Sequence, residues 1–302
     1  MINKIILLLL ILSFIVLYYF NYIEYYSQIQ NYRKIKDYTR WILSDKYIAK
    51  LYAKKNGFSV PKTYQLVKYP KNIDFDNLPD NVVIKPTDLC NSGGVYLFKN
   101  NKNIITNEKL NKENIVKDLN NIRAKVKNQY YMHNLMYDGL VPYSGIIVEE
   151  LLLDKDGNIP FDIKCYAFKG RVYLIALTSN RRFKNNKQLF DSVWVTRDWK
   201  PIRYSMIKNN YKYRIPEKPK EYKQLIEKVE NISKKLKRHC RIDVYCLNNK
   251  VYLGEFTFFC GAFLHTFICN FMLGLKWIMN KDDYSYQDLE LLDLVPDFYN
   301  KP

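Results

Sequence analysis

Two segments late in the chain carry the residue types that hold a divalent cation beside phosphate: Arg241-Ile242-Asp243-Val244-Tyr245 and Gly254-Glu255-Phe256-Thr257. They read as the two arms of one hairpin about a turn at 247–249, which brings Asp243 and Glu255 to the same level. Mg2+ takes one or two carboxylates and fills its shell with phosphate oxygens and water. Arg241 shares the face of Asp243, because alternate strand residues point the same way. There it can stabilise a developing oxyanion. A cross-strand charged pair with no metal would have the same sequence.

A second constellation lies earlier. Val82-Val83-Ile84 reads as a buried strand closed by Lys85-Pro86, and Asn91-Ser92-Gly93-Gly94 follows as a polar glycine loop. Such loops let backbone N–H groups approach phosphate, with the lysine as a point charge. An ordinary turn beside a surface lysine is the plain alternative, and no GK[ST] follows the glycines, so this is not a Walker A loop. Ile146-Ile147-Val148 ends in Glu149-Glu150, carboxylates able to accept from ribose hydroxyls or an adenine amine, or else a solvated strand end. Asp162 and Lys164 share a strand face, as an ion pair or as a site. Arg181, Arg182 and Lys184 follow a strand and suit an acidic substrate. The run 234–238 reads as the solvated face of its helix. His133, His239 and His265 lack metal spacing, and His265 is read as structural.

The elements that must position these groups are legible in part. A helix is expected over Asp37–Asn56, stopped by Gly57. A hairpin is expected from 96–98 and 104–105, and a polar helix over 111–130. Strands are expected at 146–152, 162–168 and 172–177, with the Lys169-Gly170 turn between the last two. Leu225, Ile226, Val229, Ile232 and Leu236 mark one face of a helix over 222–238. The late hairpin and a helix over 272–279 complete the chain. Hairpins interleaved with helices argue for an α+β fold.

The chain has 302 residues, enough for a sizeable core. Its formal net charge of +18 is compatible with codon bias and solubility, or with a polyanionic partner. Cys90, Cys165, Cys240, Cys246, Cys260 and Cys269 contain no CxxC pair, so a zinc ribbon is not expected and buried thiols in a reducing compartment are. Ile5–Phe20 is apolar apart from Ser13, with Lys4 before it and Tyr18, Tyr19, Tyr22, Tyr25 and Tyr26 as an aromatic belt. No small-residue cleavage site follows. The run is read as a single-pass anchor over 1–24, with a juxtamembrane linker over 25–40 and a catalytic unit over 41–302. Arg33, Lys34 and Lys36 outnumber Lys4, which places the catalytic unit in the cytosol.

Taken in order, these segments resemble the ATP-grasp superfamily, and the TupA-like family fits best. Ser44-Asp45-Lys46-Tyr47, Leu78-Pro79, Arg241-Ile242-Asp243-Val244-Tyr245 and Gly254-Glu255-Phe256-Thr257-Phe258 carry the resemblance, which spans about Trp41 to Phe267. It implies an ATP-grasp fold behind the transmembrane helix, with ATP and Mg2+ as cofactors. It further implies that Lys85, Ser92, Gly93, Gly94, Asp162 and Lys164 lie about the nucleotide, with Glu149 and Glu150 at its adenine and ribose end. Asp243, Glu255 and Thr257 would hold Mg2+, and Arg241 with Lys164 would act in catalysis. Many ATP-grasp enzymes carry Asn where Thr257 stands. Arg181, Arg182 and Gly261 are expected at the substrate. The implied chemistry is a carboxylate–amine ligase acting through an acyl phosphate on a small-molecule or glycan substrate with acidic groups, and family members are associated with cell-surface polymers of uronic acids and glutamate. Phosphoryl transfer to a glycan, or an inactive polyanion-binding module, are the rival readings. No nucleic-acid partner is expected.

Overall fold

The computed structural model describes residues 2–35, 37–89, 93–132, 145–184, 187–204, 206–207, 215–259, 264–286 and 289–297. Two five-stranded sheets carry the fold, and every pairing between their strands is antiparallel, the α+β class expected. The first sheet contains Thr63–Val67 (β1), Val82–Pro86 (β2), Tyr96–Lys99 (β3), Lys102–Asn103 (β4) and Ile146–Glu150 (β5), in the order β1-β5-β2-β3-β4. The second contains Asp162–Phe168 (β6), Arg171–Lys184 (β7), Lys187–Thr196 (β8), Cys240–Leu247 (β9) and Lys250–Thr257 (β10), in the order β10-β9-β6-β7-β8. The helices are Ile2–Ile23 (α1), Tyr25–Arg33 (α2), Tyr38–Leu43 (α3), Lys46–Lys55 (α4), Lys112–Met132 (α5), Tyr222–Leu236 (α6) and Phe267–Met279 (α7).

Local chemistry explains the register. Asn100-Asn101 and Asn248-Asn249 all take positive φ, the conformation that lets a two-residue loop match the twist of its strands. The first of these pairs moves the early hairpin: its return strand is Lys102–Asn103, not the 104–105 expected. The single helix expected over Asp37–Asn56 is two, because Asp45 caps α4 by accepting from the amides of Tyr47 and Ile48, both at 2.9 Å. The anticipated face of α6 is buried and packs on β6, β7 and β9. A smaller core, including Val82, Ile84, Ile146 and Val148, lies about the first sheet, and a larger one about the second.

Within the segment expected as a linker, described residues of α2 pack into the larger core. Tyr25, Ile29 and Tyr32 of α2 are buried there. His239 Nδ1 donates to the Ala167 carbonyl at 3.1 Å, so its Nε2 accepts from the Tyr25 hydroxyl at 2.6 Å. Burial pushes His239 down to about 3, so the ring is neutral. Asp37 caps α3 and pairs with the fully buried Arg238.

Among the described residues no helix is long and apolar enough to cross a membrane. The side chains of α1 at 2–4, 7, 8, 14, 17, 18, 20 and 21 lie outside that description. The structure therefore does not establish the expected transmembrane span.

Candidate active site

Six elements, α4, β2, β5, β6, β9 and β10, carry the charged residues. Lys85 closes β2, and Glu149 lies on the neighbouring β5, its backbone opposite Val83. Lys85 Nζ sits 2.6 Å from Glu149 Oε1, while Lys50 of α4 pairs with Oε2. Glu149 is 3% exposed, so it serves as the shared counter-ion of two lysines. Glu150 turns away and accepts from the Lys62 amide at 3.1 Å. Burial, with Lys46 nearby, lowers Lys85 to about 8, against an opposing pull from Glu255.

Helix α4 is tied to the loop after β2. The Lys46 amide donates to the Thr87 carbonyl at 2.8 Å, and its ammonium donates to the Leu89 carbonyl. In the same loop burial pushes Asp88 up to about 6. Gly93 lies in the turn that follows. Gly94 has a φ of +67°, and a Cβ there would meet Leu119 and Pro86 at 3.1 Å, so only glycine fits. Ser92 and Gly261 lie outside the described residues.

The second sheet supplies the carboxylates. Register places Glu255 opposite Asp243, with the irregularity at Gly254 absorbing one extra residue. A Cβ on Gly254 would come within 3.0 Å of the Asp243 carbonyl, which fixes glycine at the bulge. Arg241 grips Asp243 with two bonds of 2.7 Å and reaches Thr257 Oγ1 at 3.0 Å and Glu255 at 3.3 Å. Lys164 on β6 lies 2.5 Å from Asp243 and 3.2 Å from Asp162. The Thr257 hydroxyl donates to Glu255 Oε1 at 3.0 Å. Burial pushes Glu255 up, but Arg241, Lys46 and Lys164 outweigh it and hold the carboxyl below its usual range.

The donor chemistry fits Mg2+ shared with a phosphate chain. Asp243 and Glu255 stand at one level, and Glu255 is 38% exposed at its side chain. No cluster of three or more His, Cys, Asp or Glu that could hold a metal unaided occurs among the described residues. A cation that draws part of its shell from phosphate needs no such cluster.

Sequence reasoning singled out Lys85, Lys164, Asp162, Arg241, Asp243, Glu255 and Thr257; the structure places the last six in contact with one another and pairs Lys85 with Glu149. It missed Lys50 and Asp88 and gave Lys46 no role. The available signal was the spacing of Lys46 and Lys50, one helical turn apart and so on one face of α4. Arg181 and Arg182 lie within β7 rather than after it, and their side chains lie outside the description. His265 is buried against Tyr166 and pushed down to about 3, in keeping with a structural histidine.

The profile of the family described as TupA-like ATPgrasp matches residues 27–271. Among solved structures, D-alanine–D-alanine ligase from Bacillus anthracis is similar at 16% identity, covering 84% of this chain and 66% of its own, with a TM-score of 0.42. L-amino acid ligase from Bacillus licheniformis matches at 14% identity, 81% and 52% coverage and a TM-score of 0.44. Phosphoribosylamine–glycine ligase from Thermotoga maritima matches at 13%, 72% and 48% coverage and 0.40. The chain thus spans less than two thirds of the length of these structures. No curated protein matches it.

Proposed function

The chain belongs to the TupA-like ATP-grasp family, and on that premise we propose that it is an ATP- and Mg2+-dependent carboxylate–amine ligase working at a membrane surface on an acidic acceptor. The observation that carries the reading is Lys164 bonded to Asp243, which stands opposite Glu255 in register, with Lys85 on the other sheet held by Glu149. Bound with Mg2+, ATP supplies the phosphoryl group that turns a carboxylate into an acyl phosphate, which an amine converts to an amide with release of phosphate.

The chain's own groups have separable tasks. Lys85 and Lys164 present ammonium charge to the phosphates. Glu149 holds Lys85 in place. Asp243 and Glu255, with Thr257 beside them, would hold the metal. Arg241 stabilises negative charge on the acyl phosphate, since its guanidinium is fixed by Asp243 and needs no reorganisation. Gly93 and Gly94 let backbone amides approach phosphate closely.

The surface reading rests on α1. Its 22 residues span about 33 Å, close to the hydrocarbon thickness. Ile5, Leu9, Leu12 and Val16 among others are exposed. We read it as a single-pass anchor with the catalytic unit on the cytosolic side. An acidic acceptor, such as a uronic-acid polymer or glutamate chain, is suggested by the net charge and by Arg181 and Arg182 in the strand next to β6. Magnesium-dependent ADP release, screened over carboxylate and amine mixtures, tests the reading, and the acceptor's amide should appear by mass spectrometry.

A further inference from the structure

Helix α7 is apolar on both sides. Cys269, Leu273 and Trp277 face the core, and Gly274 is buried with them. The opposite side carries Leu264 just before the helix and then Phe267, Ile268, Phe271, Met272 and Met279, exposed by 38, 65, 41, 37, 39 and 65% respectively. At about 100° per residue, these positions occupy an arc of about 140°. Lys276, the only charged residue of α7, lies at the edge of that arc with its ammonium 4.9 Å from the Tyr173 ring centroid. A helix apolar all round is ordinarily buried or in lipid.

The neighbour of this face decides between a protein partner and lipid. Both α1 and α2 pack on α7. The junction between them sits directly on Gly274, where a Cβ would lie 1.8 Å from the Ile23 carbonyl oxygen and 2.6 Å from the Tyr25 nitrogen. So α1 leaves the body against α7. The exposed apolar side chains of α1, Ile5, Ile6, Leu10, Ile11, Val16 and Tyr19 among them, point to most sides of the helix. A protein partner covers one stripe of a helix, whereas lipid covers all of it.

We propose that the exposed face of α7 is a lipid-contacting surface that lies in the membrane interface beside α1, so that the body meets the bilayer along two helices instead of hanging from one. The inference rests on the anchor reading of α1. Its consequence is orientation: β10, which carries Glu255 and Thr257, leads into α7 through 258–266, so the catalytic end of the second sheet is held at the bilayer surface. An acceptor linked to lipid is then within reach without leaving the membrane.

The test uses the full chain in vesicles of phosphatidylcholine and phosphatidylglycerol. A benzophenone amino acid is installed at Ile268 or Met272 in α7, at Val16 in α1, or at the exposed Tyr69 as a control, and adducts are identified by mass spectrometry. Phospholipid adducts at Ile268 and Met272, several-fold above the yield at Tyr69, are expected. Adducts at Val16 with only background at α7 would overturn the α7 surface and leave the anchor standing. Cross-links from α7 to a second copy of the chain would overturn it in favour of an oligomer interface. Background yield at Val16 as well would remove the anchor reading itself.

Discussion

Glu149 shows how one buried carboxylate can set the charge of a binding site. It pairs with both Lys85 and Lys50, one negative charge facing two lysines in a nearly dry place, and burial together with the charge of Lys85 pushes Lys50 well below its usual range. Burial still brings Lys85 down to about 8. The sign is definite: the ammonium is present below that value and lost as pH rises through it. Affinity for ATP should therefore decline above about pH 8, measured by calorimetry. Lys85→Met should lose that dependence and bind more weakly by about 1.5–3 kcal/mol, the worth of a hydrogen bond to a charged group. Lys50 remains to pair with Glu149 in that variant, so folding should survive. A Lys85→Met protein with unchanged affinity and pH profile would leave Lys85 outside the site. At this scale the sequence was informative wherever a charge ended an apolar strand, as at Lys85 or Asp243. It was silent on Lys50, because a lysine on an amphipathic helix looks solvated until the partner across the fold is known.

The elements were legible in proportion to their local signals. The late hairpin shows Asn-Asn at its turn and alternation on both arms, and β9 and β10 fall within a residue of expectation. By contrast β1 and β8 were not anticipated. All five residues of β1 are half-buried, which erases the two-residue period. Partnership with β7 sets β8, and pairing between strands leaves no mark in composition. The segment 25–40 reads as a linker because its tyrosines suit an interfacial belt as well as a core. Two variants examine it. Gly274→Ala drives a methyl group into the α1–α2 junction and should destabilise the fold by about 1–3 kcal/mol, read as a lower melting temperature. Arg238→Met strands the Asp37 carboxylate in the core and should cost about 3–5 kcal/mol. If both melt like the parent, α2 and α3 are not docked as described.

For the whole molecule, charge and anchorage are the remaining variables. The +18 net charge exceeds what a nucleotide and its metal require. If the excess guides an acidic acceptor, raising salt should raise the apparent KM for that acceptor, since exposed charges are screened over about 8 Å at physiological ionic strength. Replacing Arg181 and Arg182 with Gln should do the same and spare the KM for ATP. A neutral acceptor with no salt dependence would assign the basic surface to membrane association. The intact chain should also stay with membranes through an alkaline carbonate wash, and its release into the wash would argue against a spanning α1.

The central claim is that one site between the two sheets uses Mg2+ and ATP to activate a carboxylate. It is tested most directly by magnesium-dependent ADP release from the full chain and from its Asp243→Asn and Glu255→Gln variants, given a carboxylate and amine mixture. Both substitutions remove charge with little change in volume, so folding, checked by circular dichroism, should persist. The account predicts turnover by the parent that needs both substrates and magnesium, and loss of that turnover in each variant. Full turnover in both variants, or a parent that releases no ADP with any mixture while still folded, would contradict it.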